Sequence, residues 1–168
     1  MQKGLATIEI ILAVMVIGVL MKFAVPKASS LIDTVALDYE TKRFYSELQF
    51  VQAMGRSTPN VIKGVGEISL VTSESTPILF INRTENYYQV FKNTERTQAI
   101  REPHYFSNGV TIKLKSGTDP TITIGFDAEG KAKINTNTSD TLVLTSRLGK
   151  KKGIVIDSVG RIKGALDN

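Results

Sequence analysis

One carboxylate, Glu9, stands inside an otherwise apolar run, LATIEIILAVMVIGVLM over residues 5–21, where Thr7 is the other polar side chain. A charged side chain at the bilayer centre costs about 2.5 to 3.5 kcal/mol on insertion scales, so an acid in such a run implies a function and a partner. The partner of suitable chemistry is an amine. A cut after Gly4 would give Leu5 a free α-amino group and make Glu9 the fifth residue of the shortened chain, about one helical turn from its end. Within one helix the two groups are poorly placed to neutralise each other. Between helices displaced along their axes by about one turn, the amine of one subunit meets the carboxylate of the previous one and offsets the desolvation of both. The alternative is a carboxylate that snorkels or is neutralised by protonation.

Few other residues are equipped for chemistry. Cys is absent and His104 is the single histidine, which excludes thiolate nucleophiles, disulfides and Cys-ligated metals. His104 lies in REPHYF, with no nucleophile elbow, HExxH or P-loop in the chain, and reads as a loop or strand-edge residue. The chain is therefore expected to be no enzyme and to need no metal or cofactor. The net charge of +5 favours acidic partners without selecting among them. Its densest part is Arg147, Lys150, Lys151, Lys152, Arg161 and Lys163, with Asp157 the one acid among them. If the strands flanking a turn at 157–160 pair, the loop at 150–152 falls near Lys163 at one end of the hairpin and Arg161 near the other, an array suited to the phosphates of double-stranded DNA. The alternative is a solvated basic loop beside an edge strand guarded by lysine.

The elements that position these groups follow from periodicity. Residues 5–21 span roughly 25 Å as a helix, adequate for a bilayer once Phe23, Ala24 and Val25 extend it past Lys22, whose ammonium snorkels to headgroup level. Lys3 keeps the preceding end cytoplasmic. Pro26 lacks an N–H and should kink or loosen the helix, which then resumes. Leu37, Thr41, Phe44, Leu48 and Val51 recur at steps of three and four, with Asp38, Glu40, Lys42 and Arg43 off that stripe. Gly55, Ser57, Pro59, Gly64 and Gly66 should end the helix near Met54. A helix over 5–54 would be roughly 75 Å long, for which assembly is the evident reason.

Beyond it come short alternating or β-branched runs at 67–71, 78–82, 87–91, 110–115, 121–126, 131–135, 141–146, 153–156 and 161–163, an antiparallel β-domain. Two turns of D-x-x-G form, at 127–130 and 157–160, repeat one hairpin device, with Asp capping its own turn and Gly taking positive φ. The expected organisation is α+β: a leader at 1–4, a transmembrane and assembly half-helix at 5–26, an amphipathic half-helix at 27–54 packed on the sheet, and a β-rich head at 55–168.

The string KGLATIEIILAVMVIGVLMKFAVP resembles the class III leader of type IV pilins and type II secretion pseudopilins. The resemblance implies that a prepilin peptidase cuts between Gly4 and Leu5 and methylates Leu5, that Glu9 guides assembly, and that Pro26 is the family's helix-kinking proline. Leu5 departs from the commoner phenylalanine, and Ala6-Thr7 from the usual threonine-leucine pair. The segments FYSELQFVQAMGR, GFDAEG and LVLTSRLGKKKGIVIDSVGRIK resemble the GspH/FimT type of minor pilins and pseudopilins, which implies a long helix laid against two small antiparallel sheets. Gly160-Arg161-Ile162-Lys163 is similar to a C-terminal Gly-Arg-x-Arg motif that contributes to DNA capture in some of them; Lys163 keeps the charge but loses the bidentate fork.

The implied function is a structural subunit, a minor pilin or pseudopilin of a type IV pilus-like or type II secretion filament. It would sit as a single-pass protein in the cytoplasmic (inner) membrane with its head outside, then enter the filament. Its partners would be other subunits, the peptidase and membrane lipid. Two alternatives stand beside this: a filament-borne pilin that binds DNA during uptake, and a secreted β-domain behind a conventional signal peptide. Glu9 and the helical pattern beyond Pro26 argue against the second.

Overall fold

The computed structural model describes the backbone of residues 2–57, 76–135 and 137–167 and the side chains of residues 8–57, 76–135 and 137–164. The strand expected at 67–71 lies outside the described residues, as do Pro59, Gly64 and Gly66.

One helix, α1 (Gln2–Ser57), runs through Pro26 and three residues past the expected end at Met54. Gly55 does not break it. A Cβ there would press on the backbone carbonyl oxygen of Phe126, so this glycine lets the end of the helix rest directly on a strand.

Nine strands follow among the described residues: β1 (Ile78–Asn82), β2 (Tyr87–Phe91), β3 (His104–Tyr105), β4 (Thr111–Leu114), β5 (Thr121–Phe126), β6 (Ala132–Ile134), β7 (Asp140–Thr145), β8 (Lys151–Ile156) and β9 (Ile162–Asp167). They form two antiparallel sheets, β3-β2-β1-β5-β6 and β4-β7-β8-β9. The two-residue β3 was not foreseen; pairing of Tyr88 with His104 and of Tyr87 with Tyr105 makes it, with little alternation of its own to mark it.

Strand alternation sets what each sheet buries. Ile112 and Leu114 of β4, Leu142 and Leu144 of β7, and Ile154 and Ile156 of β8 all point inward. Leu79, Ile81, Ile122, Ile124 and Ile134 do the same in the other sheet, and Leu37, Phe44, Leu48 and Val51 of α1 share one core with both. Burying each such side chain contributes about 1.5 to 3 kcal/mol.

The two D-x-x-G turns come together although they belong to different sheets. The Gln52 amide nitrogen donates to the Gly130 carbonyl at 3.3 Å and to the Gly160 carbonyl at 2.5 Å. Gly160 has φ +81° and lies so close to Gly130 that a Cβ would collide with its carbonyl oxygen. The hairpin β7–β8 thus runs alongside α1. Its β7–β8 turn lies against Ser29 and Ser30, while the turn that follows β8 reaches Gln52.

Candidate functional site

The sequence places apolar residues on every side of α1 over residues 8–25, and no described residue of the head covers them. Ile8, Leu12, Met15, Leu20, Phe23 and Val25 are exposed by 59 to 68%, and Glu9 is exposed among them. This helix is long and apolar enough to cross a membrane. A hydrogen-bonded helix is also a backbone form that lipid tolerates. Gly4 and Leu5 fall in its helical backbone, with their side chains outside the described residues. Exposed apolar side chains continue upward on one face as Leu31, Ile32, Val35 and Tyr39, opposite the face that meets the head.

From Asp33 onward the helix turns acids toward the head. Glu40 was expected off the packed stripe, yet it is fully buried. Its carboxylate lies 2.9 Å from His104 Nε2 and accepts from the Ser107 backbone N–H at 3.0 Å and the Ser107 hydroxyl at 2.6 Å. Glu47 pairs with Arg101 at 2.5 Å, and that guanidinium lies over the Phe50 ring. Asp33 accepts the Leu148 N–H at 3.3 Å, and Asp38 pairs with Lys152 at 2.7 Å. A buried carboxylate is tolerated where donors meet it, so Asp33, Glu40 and Glu47 tie to α1 the loop residues Leu148, Ser107 and Arg101, although one oxygen each of Asp33 and Glu47 is buried without a hydrogen-bond partner. Beside them Tyr88 packs edge-on to Phe44 at 5.2 Å. Burial pushes its hydroxyl well above the ordinary value, with the Arg43 charge pulling against it.

The basic C-terminal residues do not gather as the sequence suggested. Lys152 falls opposite Asp167 and Lys163 opposite Val155, because β9 continues to Asp167 with an irregularity between Gly153 and Val155. Three of the set turn to the helix: Arg147 donates to the Ser29 hydroxyl at 3.2 Å, Lys150 to the Ser30 carbonyl at 3.1 Å and hydroxyl at 2.9 Å, and Lys152 pairs with Asp38. Arg161 pairs with Asp157 at 2.7 Å. Slight desolvation pushes the Asp157 carboxyl up, but the Arg161 N–H, guanidinium and charge, with the Val159 N–H, outweigh it and hold it below its ordinary value. Lys151, in register with Thr145, and Lys163, in register with Val155, stand exposed on the outer face of the four-stranded sheet.

Asp33 and Glu47 are residues that sequence reasoning passed over, and Glu40 is one it placed off the packed face. Their spacing of seven residues keeps them on one side of a 3.6-residue helix, a regularity legible beforehand but indistinguishable from a solvated face.

No protein-family model matches the sequence, and neither does any curated protein sequence. Among solved structures the chain is similar to the minor pseudopilin EpsH from the type 2 secretion system of Vibrio cholerae, at 9% identity and a TM-score of 0.51, over 77% of this chain and 95% of that one. It is also similar to the type IV minor pilin FimU of Pseudomonas aeruginosa, at 15% identity and a TM-score of 0.50, over 83% of this chain and 92% of that one. These likenesses establish a pilin-like α+β fold, one long N-terminal helix packed on antiparallel sheets.

Proposed function

We propose that this chain is a structural subunit of a type IV pilin-like filament, a minor pilin or pseudopilin with motifs similar to the GspH/FimT type. One observation carries the proposal: a single helix is bare and apolar over residues 8–25, holds one acid there, and then continues into a head of pilin-like fold. Such a helix needs lipid around it before assembly and the helices of neighbouring subunits afterwards. Prepilin peptidase would cut between Gly4 and Leu5 and methylate Leu5, leaving an amine for the Glu9 carboxylate of an adjacent subunit. The head would lie outside the cytoplasm on a single-pass anchor.

DNA capture has less behind it, since the basic residues that suggested it are divided between helix contacts, the Asp157 pair and the outer sheet face.

Mass spectrometry of the protein from its native cells tests the processing. The expected start is Leu5 with one added methyl, and an intact leader or a start beyond Ala24 overturns the reading. Glu9→Gln should abolish incorporation into filaments while leaving the protein in the membrane. Normal incorporation of that variant would remove Glu9 from its assembly role.

A further inference from the structure

We propose that the β7–β8 turn seats the head on the anionic phospholipid surface of the membrane its helix spans, with Leu148 at the tip and Arg147, Lys150 and Lys151 around it. This rests on the anchored-subunit reading above.

Height along the helix is the first support. At about 1.5 Å per residue, Ser29 lies about 6 Å beyond Val25, the last residue of the apolar segment, and Thr34 about 13 Å beyond it. The turn is tied to that stretch, by Arg147 to Ser29, by Lys150 to Ser30 and Thr34, and by the Leu148 N–H to Asp33. A headgroup layer is roughly 5 to 8 Å thick, and charges act over a Debye length of about 8 Å in physiological salt. The turn is therefore within reach of lipid phosphates. The opposite end of the hairpin, fixed at Gln52, lies about 40 Å from Val25 and is far outside that range.

Charge is the second support. Higher up, three cations meet carboxylates: Lys152 with Asp38, Arg101 with Glu47, Arg161 with Asp157. At the turn, Arg147 and Lys150 meet serine and threonine oxygens, which orient them without neutralising them. Lys27 stands exposed on the helix about 3 Å beyond Val25, just below the turn. Among the described residues, the acid at this height is Asp33, and it is buried.

Shape is the third. Leu148 is 52% exposed, although the turn could have ended in a polar residue. Gly149, at φ +84°, has open space where a side chain would be, so the tip can approach a flat surface. An apolar tip ringed by cations whose stems are themselves apolar suits the boundary between headgroups and acyl chains.

Because the chain lacks Cys, a single introduced thiol carries a label without ambiguity. The full chain would be reconstituted in vesicles of phosphatidylcholine alone or mixed with phosphatidylglycerol, with a fluorophore at Leu148→Cys, Val16→Cys or Val159→Cys and spin-labelled lipid as quencher. The expected result is quenching at 148 in anionic vesicles and little in neutral ones, quenching at 16 in both, and none at 159. Lys151→Gln should lower the seated-to-free ratio at 148 by about fivefold.

An unquenched label at 148 with a quenched one at 16 overturns the seating and leaves the anchor standing. Equal quenching at 148 in both vesicle types, or no effect of Lys151→Gln, overturns the role of charge. An unquenched label at 16 removes the anchor itself, and the seating with it.

Discussion

The two halves of α1 are continuous in backbone and opposite in surroundings. Below Pro26 the helix carries one acid, Glu9, and no described residue of the head covers it. Above Ser29 it carries Asp33, Asp38, Glu40 and Glu47, and every one of them meets a donor from the head. The lesson concerns where satisfaction comes from. In the upper half the chain supplies its own partners and the helix becomes part of a packed domain. In the lower half no described residue of the head supplies a partner, and the apolar surface is left open.

The sharpest test of this contrast removes an upper acid. Glu40→Ala should strand His104 and Ser107 and destabilise the head by about 3 to 5 kcal/mol in urea unfolding of the detergent-solubilised chain. A loss under 1 kcal/mol would show that the upper acids do not hold the head to the helix.

A slightly smaller loss is expected where the two sheets meet the helix end. Gly160→Ala adds a left-handed backbone cost to a collision with the Gly130 carbonyl, together about 2 to 4 kcal/mol by the same measurement. An unchanged midpoint would mean that the two turns are free to part.

A pH effect should be smaller again. Asp157 is held below its ordinary value of 3.8 in the folded chain, so it binds a proton more weakly folded than unfolded. Its contribution is present above pH 3.8 and fades as pH falls through the lower folded value. Comparing unfolding midpoints of the native chain and Asp157→Asn from pH 6 down to pH 2 should show their difference shrinking toward the acid end. A difference independent of pH would assign the effect to turn geometry and not to the carboxylate.

The smallest effect completes the comparison. Glu9→Gln should leave the unfolding midpoint of the head unchanged within about 0.5 kcal/mol, because its surroundings are not made by this chain. A measurable shift would mean that the lower half contacts the head after all.

The strands β1, β2, β4, β5, β6, β7 and β8 were legible to within two residues at their ends because alternation and turn residues act over a few positions. So were the apolar half-helix and the D-x-x-G turns. The extent of β9 and the existence of β3 were not, since each depends on the strand it pairs with. Gly55 shows the same limit from the other side: its local propensity signals a helix end, while its contact with Phe126 needs it inside the helix.

What the sequence alone determined is short-range: a helix apolar enough for lipid, one acid within it, a change to β-structure beyond, and the chemistry of its turns. What the tertiary structure decided is which charges neutralise which. Glu40 meets His104 across 64 residues and Asp33 meets Leu148 across 115. Charge in a sequence is a property of single residues, whereas burial and pairing are properties of distant segments brought within about 3 Å, and only the folded chain specifies that distance.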